Sequence, residues 1–106
     1  MNLPQREHPA AVAEFDDAVR WYEDQEPGIG LAFMECAQSA RLELAAWPHA
    51  GPLFTTTADG TLIRSKRIRR FPYRIIYTVD SDSILVLAYA HQRRKPGYWL
   101  QRHAAT

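Results

Sequence analysis

The chain has 106 residues, of which 46% are hydrophobic, and a formal net charge of +1. This length fits one domain, and the apolar content is sufficient for a packed core, which argues against intrinsic disorder. No apolar run approaches the roughly 20 residues that a membrane-spanning helix needs, and the N-terminus lacks the apolar segment of a signal peptide. Because the single cysteine, Cys36, cannot form an internal disulfide, we expect a cytoplasmic protein.

The small net charge conceals an unequal distribution of charge along the chain. Residues 1–61 carry three basic and ten acidic side chains, whereas residues 62–106 carry ten basic and two acidic side chains. Such asymmetry indicates an anionic partner, such as a nucleic acid, for the basic half. The alternative is that the two halves fold together and neutralise each other, although ten basic residues are many for the nearby acids to pair.

The first element in chain order is a short edge strand, expected within Leu3–His8. Pro9 then suits the first turn of a helix, where the missing N–H of proline is no loss. The breaker pair at 27–28 ends this helix. Its apolar face recurs at helical spacing and consists of Val12, Phe15, Val19 and Tyr22.

A second helix is predicted from about Ile29 to Trp47. Pro48 ends it, and residues 48–52 have the composition of a loop. The predicted apolar stripe consists of Phe33, Ala37, Ala40, Leu44 and Trp47, widened by Met34 and Leu42. Two amphipathic helices joined by a short Pro-Gly turn form a helical hairpin.

The second half changes to the spacing of β-strands. The Asp-Gly pair at 59–60 indicates a tight turn, and a heavily charged strand follows within Thr61–Arg70. Tyr73–Val79 is a strand with its aromatic and branched residues alternating onto one face, and a polar turn follows at 80–83. Ile84–Ala90 is continuously apolar, as expected of a strand at the sheet centre.

The predicted order of elements is β-α-α-β-β-β, which indicates an α+β fold. Helices that precede a run of hairpin-linked strands pack as a hairpin on one face of a small, mostly antiparallel sheet. The whole chain, 1–106, is then a single domain. The other face of the sheet, or its rim, is expected to display the basic residues.

Several local strings resemble the RelE/ParE toxin family. The resemblance extends from Pro9 to Arg102, and the last two strings together are the most specific. The strings are AVRWYE at 18–23, GIGLAF at 28–33, WP at 47–48, GP at 51–52, RRFPYRIIY at 69–77 and AYAHQRRKPGYW at 88–99.

The resemblance implies a toxin of a type II toxin–antitoxin module, neutralised by a cognate antitoxin that lies on the helical hairpin or an exposed sheet edge. RelE-like members cut messenger RNA on the ribosome, whereas ParE-like members poison DNA gyrase and need no catalytic residues. A member that has lost toxicity and only pairs with an antitoxin is the third possibility. The shared fold does not decide among them.

Metal-free cleavage of RNA requires a base, an acid and cations around the phosphorane, and the basic half contains these residue types. Arginine supplies a planar cationic clamp, while histidine and tyrosine can move protons. The candidate catalytic residues are His91, Arg93, Arg94 and Tyr98. The candidate residues for binding a nucleic acid or protein target are Arg64, Lys66, Arg67, Arg69, Arg70 and Arg74.

The resemblance to RelE-like enzymes gives several of these residues counterparts. Lys66 and Arg67 match the basic pair of the second strand, and Arg74 matches an arginine of the third. Arg93 or Arg94 matches the arginine of the fourth strand, and Tyr98 matches the C-terminal tyrosine. Here a Pro-Gly pair lies between that arginine and the tyrosine, so the spacing departs from the enzymes.

Structural roles compete with these functional ones. His91 would close the last strand, Tyr98 and Trp99 would anchor the C-terminal segment, and arginines on an edge strand would discourage pairing with other chains. Cys36 is expected to be a buried, inert thiol. Neither metal nor cofactor is expected, because no Gly-rich phosphate loop exists and the histidines show no metal-ligand spacing. These histidines are His8, His49, His91 and His103.

Overall fold

The computed structural model describes residues 3–104. Its elements are β1 (Gln5–Glu7), α1 (Pro9–Gln25), α2 (Ile29–Ala46), β2 (Leu53–Thr56), β3 (Leu62–Arg67), β4 (Tyr73–Val79), β5 (Ile84–His91) and α3 (Leu100–Ala104). The predicted elements are confirmed, and two short ones, β2 and α3, were not predicted. None of the helices in this described part is long and apolar enough to cross a membrane.

The five strands form one mixed sheet in the order β1-β5-β4-β3-β2. β1 runs parallel to β5, and the other neighbouring strands are antiparallel. The helical hairpin packs on one face of this sheet, which confirms the predicted α+β architecture. As expected from its apolar run, β5 lies inside the sheet and is buried along most of its length.

The turn between the helices is held by one carboxylate. Glu23 accepts hydrogen bonds from the backbone N–H groups of Gly28 and Gly30, at 3.1 and 3.0 Å. Gly28 adopts a φ of 94°, a left-handed conformation that glycine adopts without steric cost. A Cβ at Gly30 would lie only 2.8 Å from the carbonyl oxygen of Val19, so glycine also permits the close approach of α2 to α1.

The buried faces of the helices differ in part from the predicted stripes. α1 buries Ala11 and Ala18, with Phe15 partly buried between them, whereas Val12 is exposed. Three of the four predicted residues, Phe15, Val19 and Tyr22, pack against the core as expected, and the prediction was wrong at Val12, because small alanines face the sheet in its place. On α2 the predicted core positions from 33 to 44 are buried, but three residues of its predicted stripe are exposed instead. They are Met34, Leu42 and Trp47.

The basic residues lie at the rim of the second face, near the end of β3 and beyond the end of β5, which is one of the two places expected for them. The centre of this face is covered instead. There a second apolar cluster packs around the indole of Trp99, which the segment after β5 folds back onto the sheet. Phe54 on β2 contacts this indole, with ring centroids 5.5 Å apart. The buried members of the cluster are Ile63, Ile76, Leu85, Leu87, Ala88 and Trp99.

The loop that leads into β2 packs against a buried tyrosine of β4. The Tyr77 hydroxyl donates a hydrogen bond to the carbonyl oxygen of Pro48, at 2.9 Å. Gly51 passes so close that an added Cβ would clash with this hydroxyl and lie 2.9 Å from the carbonyl oxygen of Ser65. The absence of a side chain at Gly51 therefore allows the loop to lie on the sheet.

We expect the Gly51→Ala variant to lose about 1–3 kcal/mol of unfolding free energy, because overpacking a rigid contact forces the backbone to shift. Equilibrium unfolding in urea measures the loss. The exposed neighbour Ala50 provides a control, since Ala50→Ser should change stability by less than about 0.5 kcal/mol. Equal stability of the two variants would show that the loop is free to move away from Tyr77.

Candidate functional site

The structure gathers most of the predicted site residues at two places, and Arg74 lines cavities at both. Arg74, His91, Arg94 and Tyr98 line a cavity of about 120 Å³ on the face of the sheet that carries Trp99. The other group lies where the end of β3 and the turn after it approach α2, and consists of Lys66, Arg67, Arg69 and Arg70. The remaining two are separate: Arg64 donates to the carbonyl oxygen of Gly51 at 2.8 Å, and Arg93 is exposed beyond β5.

His91 is the last residue of β5, and its contacts are those of a residue that closes a strand. It is paired in register with Tyr73 of β4, and the two rings meet edge to face with centroids 5.1 Å apart. Its Nδ1 accepts a hydrogen bond from the backbone N–H of Arg93 at 3.0 Å. Its carbonyl oxygen accepts another from the backbone N–H of Arg94, also at 3.0 Å.

Tyr98 is packed beneath charged side chains. The guanidinium carbon of Arg94 lies 3.6 Å from the centre of the Tyr98 ring, and that of Arg102 lies 5.1 Å away. The hydroxyl oxygen is buried and makes no hydrogen bond of ordinary geometry to any residue between 3 and 104. Burial, together with the neighbouring Glu14 carboxylate, raises the pKa of Tyr98 to about 12, so the phenol is protonated at neutral pH.

Glu14 is a central residue of this region that the sequence patterns did not single out. Its side chain, 15% exposed, accepts hydrogen bonds from both terminal nitrogens of Arg102, at 2.9 and 3.1 Å. It also accepts from the backbone N–H of Tyr89 at 3.2 Å, and Arg94 approaches to 3.5 Å. Its position between Ala11 and Ala18, on the buried stripe of α1, is the signal in the sequence that could have identified it.

The basic group beside α2 is only partly neutralised. Lys66 donates a hydrogen bond of 2.6 Å to Glu43, and Arg69 lies 3.9 Å from the other oxygen of this carboxylate. The hydrogen bond and charge of Lys66 lower the pKa of Glu43. Arg67 is paired in register with Arg74 across β3 and β4, so two basic residues leave the sheet at neighbouring positions. Arg70, in the turn between these strands, has a left-handed φ of 72°.

No group of three or more histidine, cysteine, aspartate or glutamate residues in the described part could hold a metal ion. The side chain of His103 lies outside that part. Cys36, expected to be buried, is only half-buried and lines the cavity beside Arg69 and Arg70.

A helical hairpin on one face of a small mixed sheet, with basic residues gathered at the strand ends, is the architecture that the resemblance to RelE/ParE-like toxins implied. A family model described as the ParE toxin of the type II toxin–antitoxin system parDE matches residues 6–96. The chain therefore belongs to this family, and it is the toxin component of a type II toxin–antitoxin system. A comparison with curated proteins found no match.

Replacement of Glu14 tests its role in holding the C-terminal segment. We expect Glu14→Ala to lose about 2–4 kcal/mol of unfolding free energy, because Arg102 is left without its carboxylate partner in a largely buried site. The matched control is Asp17→Ala, which breaks the exposed Asp17–Arg20 pair on the same helix and should cost less than about 0.5 kcal/mol. Urea unfolding measures both, and similar losses would contradict a special role for Glu14.

Proposed function

We propose that this toxin arrests growth by binding DNA gyrase rather than by cutting messenger RNA. The observation that carries the proposal is the state of Tyr98. A proton-transfer group must reach the substrate and have a pKa near the working pH. The Tyr98 hydroxyl is buried, its pKa is raised to about 12, and Arg94 covers its ring. This environment suits a structural anchor.

The contacts of His91 support the same proposal. A general base needs a free nitrogen and freedom to orient it toward the reacting hydroxyl. One ring nitrogen of His91 already accepts the Arg93 N–H, and the ring rests edge-on against Tyr73. A toxin that acts by binding needs no proton transfer, and membership of the ParE toxin family agrees with such an action.

One observation favours a second candidate function, a ribosome-dependent RNA endonuclease. The cavity beside Trp99 brings two arginines, Arg74 and Arg94, together with His91 and the Tyr98 ring. Cations at such a cavity can stabilise the charge of a phosphorane. In this candidate function, residues of the cavity contact the scissile phosphate directly.

Two variants separate the candidates. Purified toxin should inhibit DNA supercoiling by gyrase, and Tyr98→Phe and His91→Ala should inhibit within about twofold of the wild type. Tyr98→Phe is well suited to this test, because removing a buried hydroxyl that lacks a hydrogen bond should not destabilise the fold. In cells, induced toxin should cause DNA damage while messenger RNAs stay intact. Codon-phased RNA cuts that disappear in both variants would establish the endonuclease instead.

For the cognate antitoxin we propose a docking groove on the helical hairpin. The groove has a volume of about 380 Å³, and its two most exposed apolar side chains are Leu31 and Met34 on α2. An amphipathic helix buries its apolar face in such a groove. The lining consists of Phe15, Leu31, Met34, Glu35, Gln38 and Arg41.

Met34→Glu should weaken antitoxin binding at least about tenfold, because it places a charge beside Glu35 in the apolar contact. The control is Leu62→Glu on β3, because Leu62 is 46% exposed against 42% for Met34 and does not line the groove. Calorimetric titration of toxin with antitoxin measures both affinities, and gyrase inhibition should persist in both variants. Equal affinities would place the antitoxin elsewhere.

A further inference from the structure

Two adjoining cavities beside α2 form one continuous depression. The first, about 270 Å³, lies between the middle of α2 and the turn after β3. The second, about 430 Å³, lies between the end of α2 and the loop that leads into β2. Both are lined by Glu43, Lys66 and Arg67, which therefore mark their junction. We call this depression the basic trough.

The basic trough carries more positive charge than its own carboxylate can neutralise. Among the described residues that line it, Glu43 is the one acidic residue, and its carboxylate is already engaged by Lys66 and Arg69. Between residues 3 and 104, no carboxylate lies within 4.0 Å of the charged groups of the other three arginines. The five cations are Lys66, Arg67, Arg69, Arg70 and Arg74. The trough is thus an electrostatic site for an anion.

An exposed tryptophan stands at one end of the trough. Trp47 follows the last residue of α2 and is 72% exposed, although its spacing had placed it on the buried stripe. The indole lies beside the cations that line the same cavity, Lys66, Arg67 and Arg74, so an aromatic face and positive charges are offered together. Base–aromatic stacking next to a cationic groove is the usual way in which proteins hold single strands.

We propose that the basic trough binds a single-stranded nucleic acid, with the arginines on its phosphates and Trp47 stacked on a base. Guanidinium forks match phosphate oxygens, and unpaired bases offer a face that a duplex keeps stacked internally. An acidic peptide fits less well, because the apolar groove at Leu31 and Met34 already provides the contacts that a peptide helix requires. The inference goes beyond the action on gyrase and does not rest on it.

Fluorescence anisotropy with the full chain, free of antitoxin, tests the proposal. The probes are labelled DNA and RNA single strands of one sequence, and the corresponding DNA duplex. We expect the single strands to bind more tightly than the duplex. With three or four phosphate contacts, the logarithm of the binding constant should fall with the logarithm of salt concentration at a slope of about −2 to −3. A preference for the DNA or the RNA strand identifies the type of nucleic acid that binds, and either preference supports binding in the basic trough.

Matched variants locate the binding. Trp47→Ala should weaken it about tenfold, through loss of stacking. Arg67→Gln and Arg70→Gly should each weaken binding and reduce the salt slope by about 0.7. The left-handed φ of Arg70 suits glycine, so Arg70→Gly removes the charge without disturbing the turn. The controls are Trp21→Ala and Arg20→Gln, changes at two exposed residues of α1 that do not line the trough, and both should bind as the wild type.

Three results would overturn the proposal. One is the absence of single-strand binding at low salt, and another is unchanged binding by all three trough variants. The third is binding of a polyglutamate peptide that is lost on substitution of Arg67 or Trp47, while the oligonucleotides do not bind. The trough would then be a peptide site. The titration contains no gyrase, so supercoiling assays on the same variants report separately on the proposed function.

Discussion

The structure depends on how the unpaired edge of β5 is satisfied. β1 pairs with β5 only from Ile84 to Val86, so beyond that point the backbone groups of β5 that face away from β4 lack a strand partner. A buried polar group without a hydrogen bond costs about 1–3 kcal/mol. Side chains replace the missing strand, because Glu14 accepts the Tyr89 N–H and Arg102 donates to the Leu87 carbonyl at 2.9 Å. One ion pair therefore completes the sheet and joins α1 to α3.

This arrangement links the completion of the sheet to the environment of the candidate catalytic groups. With Arg102 held by Glu14, the segment after β5 folds back so that Trp99 covers the second face of the sheet. Tyr98 of this segment is then enclosed by Arg94 and Arg102, and burial together with the Glu14 carboxylate of α1 keeps its phenol protonated. The C-terminal segment is thus a structural layer. A proton-transfer role for its tyrosine would require this layer to rearrange, whereas a binding role would not.

Both interpretations of the opposite charges of the two halves of the chain apply: the halves neutralise each other in part, and part of the basic half is left for an anionic partner. Part of the basic half neutralises acidic residues of the helices, as in the Lys66–Glu43 and Arg102–Glu14 pairs. Another part lies beside α2, where Arg67, Arg70 and Arg74 line cavities whose one acidic lining residue, among the described residues, is Glu43. The apolar groove lies elsewhere on the hairpin and carries different chemistry. The two surfaces are therefore suited to two different partners.

The sequence by itself determined the elements whose periodicity is local: both long helices, the strands β3 to β5, and the α+β order. The sequence also identified the basic residues as candidates for a functional site, because charge is read directly from the residue types. Only the tertiary structure decided where those residues gather and which apolar side chains stay in water, as Trp47 does. The four-residue strand β2 shows no periodicity of its own in the sequence. It forms because it pairs with β3. Glu14 is similar, because its partners lie 75 and 88 residues away and helical spacing cannot reveal contacts across such distances.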